Sequence, residues 1–237
     1  MALQFFLGRS GSGKTYAMHQ ALAQAQRKGQ KAVYLVPEQF SLQAEKELIA
    51  KTDGGGIFSV KVLTFDRLAH TVFSHVGAPK SRPLDEVSRA MALRKVVGAL
   101  APQLCYYQKA VGKQGFLEQL LDTVGEFFRY QLTPAQLLRT AEAAGEDLPL
   151  QEKLRDLAAI YEGYCRYLQE GYLSGEETLD LLYDLLEQAA FLTGSVFYVD
   201  GFYGFTPQEE QILQKLLALD FDVVVSLTMD PRAAGET

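Results

Sequence analysis

The chain has 237 residues, room for one large domain or two modest ones, and is 48% apolar and 22% charged, a balance that excludes a disordered or fibrous polypeptide. Its wholly apolar runs are only a few residues long, Val223 to Val225 among them, so no segment is expected to span a bilayer. A net charge of -6 argues, taken alone, against a nucleic-acid partner, and two distant cysteines, Cys105 and Cys165, make neither a disulfide framework nor a four-ligand metal site. Residues 1 to 7 run into an apolar strand without a basic leader or cleavage site, which makes the cytoplasm the expected compartment.

In chain order, Leu3 to Leu7 is a short apolar strand ending at Gly8, and Lys14 to Lys28 is a helix with Ala17, Met18, Ala21, Leu22 and Ala25 on one face. Ala32 to Val36 predicts a second, buried strand closed by Pro37, and Ser41 to Ala50 predicts a helix broken by the glycines at 54 to 56. Phe58 to Leu63 predicts a third strand. Asp66 to Val76 follows as a helix capped by Thr64 or Asp66. From 84 to 190 the pattern is helical only, with stretches at 84 to 100, 115 to 130, 134 to 144, 150 to 170 and 176 to 190, and no strand between them. Ser195 to Val199 restores a strand ending at Asp200. Thr206, Pro207 and Glu209 spell a capping box before a helix to Leu219, and Asp222 to Leu227 adds a last strand. The expectation is an α/β fold: a parallel sheet of about five strands from residues 1–80 and 192–237, interrupted by an all-helical insertion at 81–191.

Charge is segregated along this plan. Residues 61 to 113 carry nine basic side chains against Asp66, Asp85 and Glu86, a net +6, whereas residues 114 to 200 sum to -11. The basic stretch could attract phosphate, or both stretches could be solvated helix faces.

Gly8 to Thr15 reads GRSGSGKT and matches G-x-x-x-x-G-K-[ST] between a strand and a helix. Gly8, Gly11 and Gly13 let the backbone fold round an anion, with Arg9, Ser10 and Ser12 between them turning amides toward it at a helix N-terminus. Lys14 is expected to reach the terminal phosphates of ATP and Thr15 to ligate Mg²⁺. Asp200, at a strand end, suits the acidic Mg²⁺ position. The next residue is Gly201, so a neighbouring catalytic base is missing and no catalytic residue is assigned. Thr64 and Arg67, at the end of the third strand, are candidate nucleic-acid contacts, with Arg89, Arg94 and Lys95 from the basic stretch.

FLGRSGSGKT, LVPEQFSLQAEKEL, VLTFDRLA and FYVDGFYGFTPQEEQIL, in this order and around a helical insertion, resemble the N-terminal region of AddB or RexB, the B subunits of the ATP-dependent helicase/nucleases. The resemblance covers essentially the whole chain. It implies a P-loop NTPase core of the RecA-like, superfamily 1 helicase type. It also implies a heterodimer with the A subunit, the active helicase/nuclease, with which the protein would process double-strand DNA ends for recombinational repair. By the same resemblance the nuclease domain and an iron-sulfur cluster lie outside these residues, and the ending DPRAAGET suggests a fragment. Active relatives read D-E-x-Q-D where this chain has Asp200, Gly201, Phe202, Tyr203 and Gly204, so ATP is expected to be bound and poorly hydrolysed. The alternative is a self-sufficient P-loop kinase acting on a small molecule, with the insertion as its lid.

Overall fold

A computed structural model of the chain describes residues 2–51, 58–77, 82–113, 115–169, 172–173 and 177–229. Three strand-helix units come first: β1 (Leu3–Gly8) with α1 (Lys14–Arg27), β2 (Ala32–Leu35) with α2 (Ser41–Lys51), and β3 (Val60–Leu63) with α3 (Phe65–Val76). The glycines at 54 to 56 lie outside the described residues. Thr64 starts α3, its Oγ1 accepting the Arg67 amide at 3.2 Å, and Phe65, Leu68, Ala69, Val72 and Phe73 then recur at helical spacing on the buried face.

The middle of the chain holds β4 (Arg82–Pro83), α4 (Glu86–Leu100), α5 (Phe116–Arg129), α6 (Pro134–Ala143), α7 (Leu148–Leu168) and β5 (Tyr172–Leu173). The expectation that no strand interrupts the helices needs correction. β4 and β5 form a two-residue parallel ladder, Arg82 with Tyr172 and Pro83 with Leu173, too short for an alternating pattern to announce it. Helix starts follow their caps. Asp85 accepts the Ser88 amide at 2.8 Å, Thr133 and Gln136 complete a reciprocal capping box, and Asp147 accepts the Leu150 amide at 3.1 Å. The core here is formed by Leu93, Val97, Leu120, Val124, Phe128, Leu157, Ile160, Tyr161 and Tyr164. Beside it the Cys165 thiol is pushed up to about 11 by burial first and by Glu177 second.

The chain then forms α8 (Glu177–Leu185), β6 (Val196–Val199), α9 (Pro207–Ala218) and β7 (Asp222–Thr228). Five strands make one wholly parallel sheet in the order β1-β7-β6-β2-β3. β2 and β6 are buried at every residue, as strands covered on both faces must be. Val33, Leu35, Phe197, Val199, Val223 and Val225 face α3, α8 and α9. Tyr34, Val36, Val60, Val62, Tyr198 and Val224 face Met18 and Leu22 of α1 and Leu48 of α2.

Two compact units result, one of residues 1–78 with 179–237 and the other of residues 79–178. Leu182, Leu186, Ala189 and Leu192 pack with the sheet, so residues 179 to 191, which sequence pattern groups with the insertion, side with the α/β unit. No helix among the described residues is long and apolar enough to cross a membrane.

Candidate functional site

In a wholly parallel sheet every strand ends at the same edge, and that edge gathers the loop after β1, Asp200 after β6 and Thr228 at the end of β7. Gly11 (φ 75°) and Gly13 (φ 88°) take the left-handed conformation that bends the loop back toward α1. A Cβ on Gly8 would collide with Ser12. The Ser12 amide donates to the Arg9 carbonyl at 3.1 Å, closing the turn. Gly13 occupies the N-cap of α1 and offers no side chain to the helix amides, and the first turn carries no acid, so the positive end of α1 is left open to an external anion. The Lys14 ammonium folds over the loop, donating to the carbonyls of Gly8 at 2.9 Å and Arg9 at 3.0 Å.

Ser10, Gly11, Lys14 and Thr15 line one wall of a cavity of about 350 Å³. The lining is completed by His19, Tyr34, Val36, Phe40, Gln43, Ala44 and Glu47, by Asp200, Gly201, Phe202 and Tyr203, and by Ser226 and Thr228. Thr15 and Asp200, both assigned from sequence to Mg²⁺, thus share one cavity. Gly8, Arg9, Ser12 and Gly13 build the loop from behind. A hydroxyl and a carboxylate are hard oxygen donors, the set that Mg²⁺ takes beside phosphate. Among the described residues there is no cluster of three or more His, Cys, Asp or Glu that could hold a metal by itself.

Asp200 is 3% exposed and held from two sides. Tyr34 Oη donates to its Oδ2 at 2.9 Å, and Ser226 Oγ donates to its Oδ1. Behind Tyr34 lies His19, also buried, its Nε2 3.3 Å from Tyr34 Oη and its Nδ1 3.0 Å from Lys51 Nζ. The Glu47 carboxylate is 3.7 Å from the same Nδ1. Burial raises the Tyr34 pKa, Asp200 raises it further, and the phenol stays protonated. Burial, then the Lys51 ammonium, lower the His19 pKa from the ordinary 6.5, outweighing Glu47 and Asp200.

His19 is therefore neutral in the fold and protonates more readily when unfolded. Its contribution to stability is complete above about pH 6.5 and is lost as the pH falls through the depressed native value. Acidification from about pH 7 to about pH 5 is expected to lower the melting temperature more in wild type than in His19→Gln. Equal losses in the two proteins would contradict it.

Gly201 follows Asp200 at φ 82°, where a Cβ would stand 3.4 Å from Pro37 Cδ and 3.7 Å from the Phe40 ring. Of the candidate nucleic-acid contacts, Thr64 is buried as the α3 cap and Arg67 is exposed in the first turn of that helix. Arg89, Arg94 and Lys95 lie on α4 in the helical unit, Arg94 and Lys95 exposed, with Lys95 Nζ 5.0 Å from the Tyr167 ring centre. None of the five lines the cavity. Sequence reasoning missed His19, Tyr34, Glu47 and Ser226. For His19 a signal existed, since it follows Thr15 by four residues and shares its helix face.

The chain matches the family model described as "ADDB, N-terminal" over residues 5–237. Similar proteins include the B subunit of the ATP-dependent helicase/deoxyribonuclease of Moorella thermoacetica, 41% identical over all of this chain and 22% of the relative's length. The B subunit of the Alkaliphilus metalliredigens enzyme is 34% identical over 98% of this chain and 20% of its own. That of Bacillus mycoides is 35% identical over 100% of this chain and 21% of its own. The chain thus spans about a fifth of the length of the curated relatives it matches.

Proposed function

The chain belongs to the family of AddB N-terminal regions, and from that membership we propose that it is the helicase-like, RecA-type nucleotide-binding region of a helicase/nuclease of the AddB kind. It binds ATP with Mg²⁺ and turns it over slowly. In the cytoplasm it acts with the helicase/nuclease A subunit on double- and single-stranded DNA ends during recombinational repair, and the exposed basic groups Arg67, Arg94 and Lys95, together with Arg89, are its candidate contacts to the DNA backbone.

One observation carries the reading: the open N-terminus of α1, the Lys14 ammonium, the Thr15 hydroxyl and the Asp200 carboxylate line or border one cavity, while Gly201 supplies no carboxylate beside them. The amides of residues 11 to 15 and the end of α1 bind the phosphates, and Lys14 exchanges two backbone carbonyls for phosphate oxygens. Thr15 and Asp200 would hold Mg²⁺, which when bound neutralises phosphate charge. Gly201 supplies no carboxylate next to Asp200 to orient an attacking water.

Titration of the purified full chain with a fluorescent ATP analogue and Mg²⁺, followed by a turnover assay, tests this. Wild type is expected to bind, and Lys14→Ala to bind on the order of 100-fold more weakly, as loss of a half-buried charged partner to phosphate costs roughly 2 to 3 kcal/mol. Equal binding by both proteins, or brisk turnover by wild type, would reject the reading.

A further inference from the structure

We propose that Tyr34 and His19 are positioning residues for the Asp200 carboxylate, holding it in the one orientation that leaves its free lone pairs toward the cavity for a divalent cation. The inference rests on the nucleotide-binding reading above and extends it to two residues outside the phosphate loop.

The hydrogen bonds around Asp200 have a fixed direction. Lys51 Nζ has donors and no acceptor, so its 3.0 Å contact makes His19 Nδ1 the acceptor and places the ring proton on Nε2. His19 Nε2 then donates to Tyr34 Oη, which frees the single phenolic proton for Asp200 Oδ2 at 2.9 Å. The relay from Lys51 through His19 and Tyr34 to Asp200 runs one way only. Reversing it would set a phenolic lone pair against the carboxylate and leave the Lys51 donor facing an N–H.

Ser226 fixes the second carboxylate oxygen, so the plane of the group is set from β2 and from β7. Each oxygen has accepted one bond and keeps capacity for another. Asp200 and Thr15 both line the cavity. His19 and Tyr34 are each 1% exposed and Asp200 is 3% exposed, so a donor removed here is replaced only where water enters from the cavity. Phenylalanine at 34 would fill nearly the same space and remove the hydroxyl that donates to Asp200 and accepts from His19.

The experiment compares binding of the ATP analogue to the full chain in Mg²⁺ and in EDTA, for wild type, Tyr34→Phe, His19→Gln, Asp200→Asn and the Tyr34→Phe/Asp200→Asn double variant. Wild type is expected to bind more tightly in Mg²⁺. Tyr34→Phe should lose about tenfold of that enhancement, His19→Gln severalfold, and Asp200→Asn all of it, with affinity in EDTA unchanged in Tyr34→Phe and His19→Gln. The double variant should match Asp200→Asn, because a positioning residue has nothing left to position; a purely structural role would give additive losses that appear in EDTA as well. If Tyr34→Phe fails to fold, His19→Gln carries the same comparison. Full Mg²⁺ enhancement in Tyr34→Phe, or additivity in the double variant, overturns the inference while leaving the nucleotide reading standing. Absence of Lys14-dependent binding in wild type overturns both.

Discussion

Gly201→Glu is expected to lower stability by roughly 1 to 3 kcal/mol and, on the proposed function, to leave ATP turnover no faster, although it introduces the residue that active superfamily 1 helicases carry after the metal-binding aspartate. Gly201 sits at φ 82°, a conformation that costs an L-residue roughly 1 to 2 kcal/mol. Its Cβ would stand 3.4 Å from Pro37 Cδ, so the side chain would leave the backbone on the side of Pro37 and Phe40. The rest of a glutamate side chain would have to leave this contact before its carboxylate could turn toward the cavity. Gly201→Ala separates the two costs, since it carries the backbone strain without the rest of the side chain. Thermal melting should rank wild type above Gly201→Ala and Gly201→Glu last. A gain in turnover would mean that the loop re-forms around the new side chain.

The second large effect belongs to the helical unit. Asp156→Ala is expected to destabilise it by roughly 2 to 5 kcal/mol, as two part-buried amides lose a charged acceptor at about 1 to 3 kcal/mol each. Asp156 is 5% exposed on α7, and its two oxygens accept the amides of Cys105 at 3.1 Å and Tyr107 at 2.9 Å. One side chain thereby pins the irregular segment after α4 to the longest helix. Asp156→Asn keeps one acceptor oxygen and should fall between wild type and alanine. Chemical denaturation measures the series, and an alanine variant within about 0.5 kcal/mol of wild type, the ordinary range of surface substitutions, would show that water satisfies both amides.

What could be read from sequence was whatever is decided within a few residues. GRSGSGKT announces its loop, Thr133-Pro134 and Thr206-Pro207 announce helix starts, and both caps form as expected. Thr64 carried two roles, cap and nucleic-acid contact; its side chain accepts the Arg67 amide and is buried. Tyr34 was not legible, because AVYLV describes a buried strand equally well with or without a phenol aimed at a carboxylate. Only the fold brings it to Asp200, 166 residues away in sequence. The affiliation of Leu182, Leu186, Ala189 and Leu192 was hidden for the same reason: their spacing states that they are buried and not against what.

The order of strands in the sheet also dictates when this site can exist during synthesis. β7 and β6 lie between β1 and β2, so β1 gains its neighbour only once residues 222 to 228 have left the ribosome. At about 5–20 residues per second that is roughly 10 to 30 seconds after β3 is made. Through that interval the nascent chain carries GRSGSGKT without the sheet that shapes its loop. Residues 79–178, whose core is their own, need not wait. Biosynthesis can therefore complete the helical unit before the α/β unit into which it is inserted.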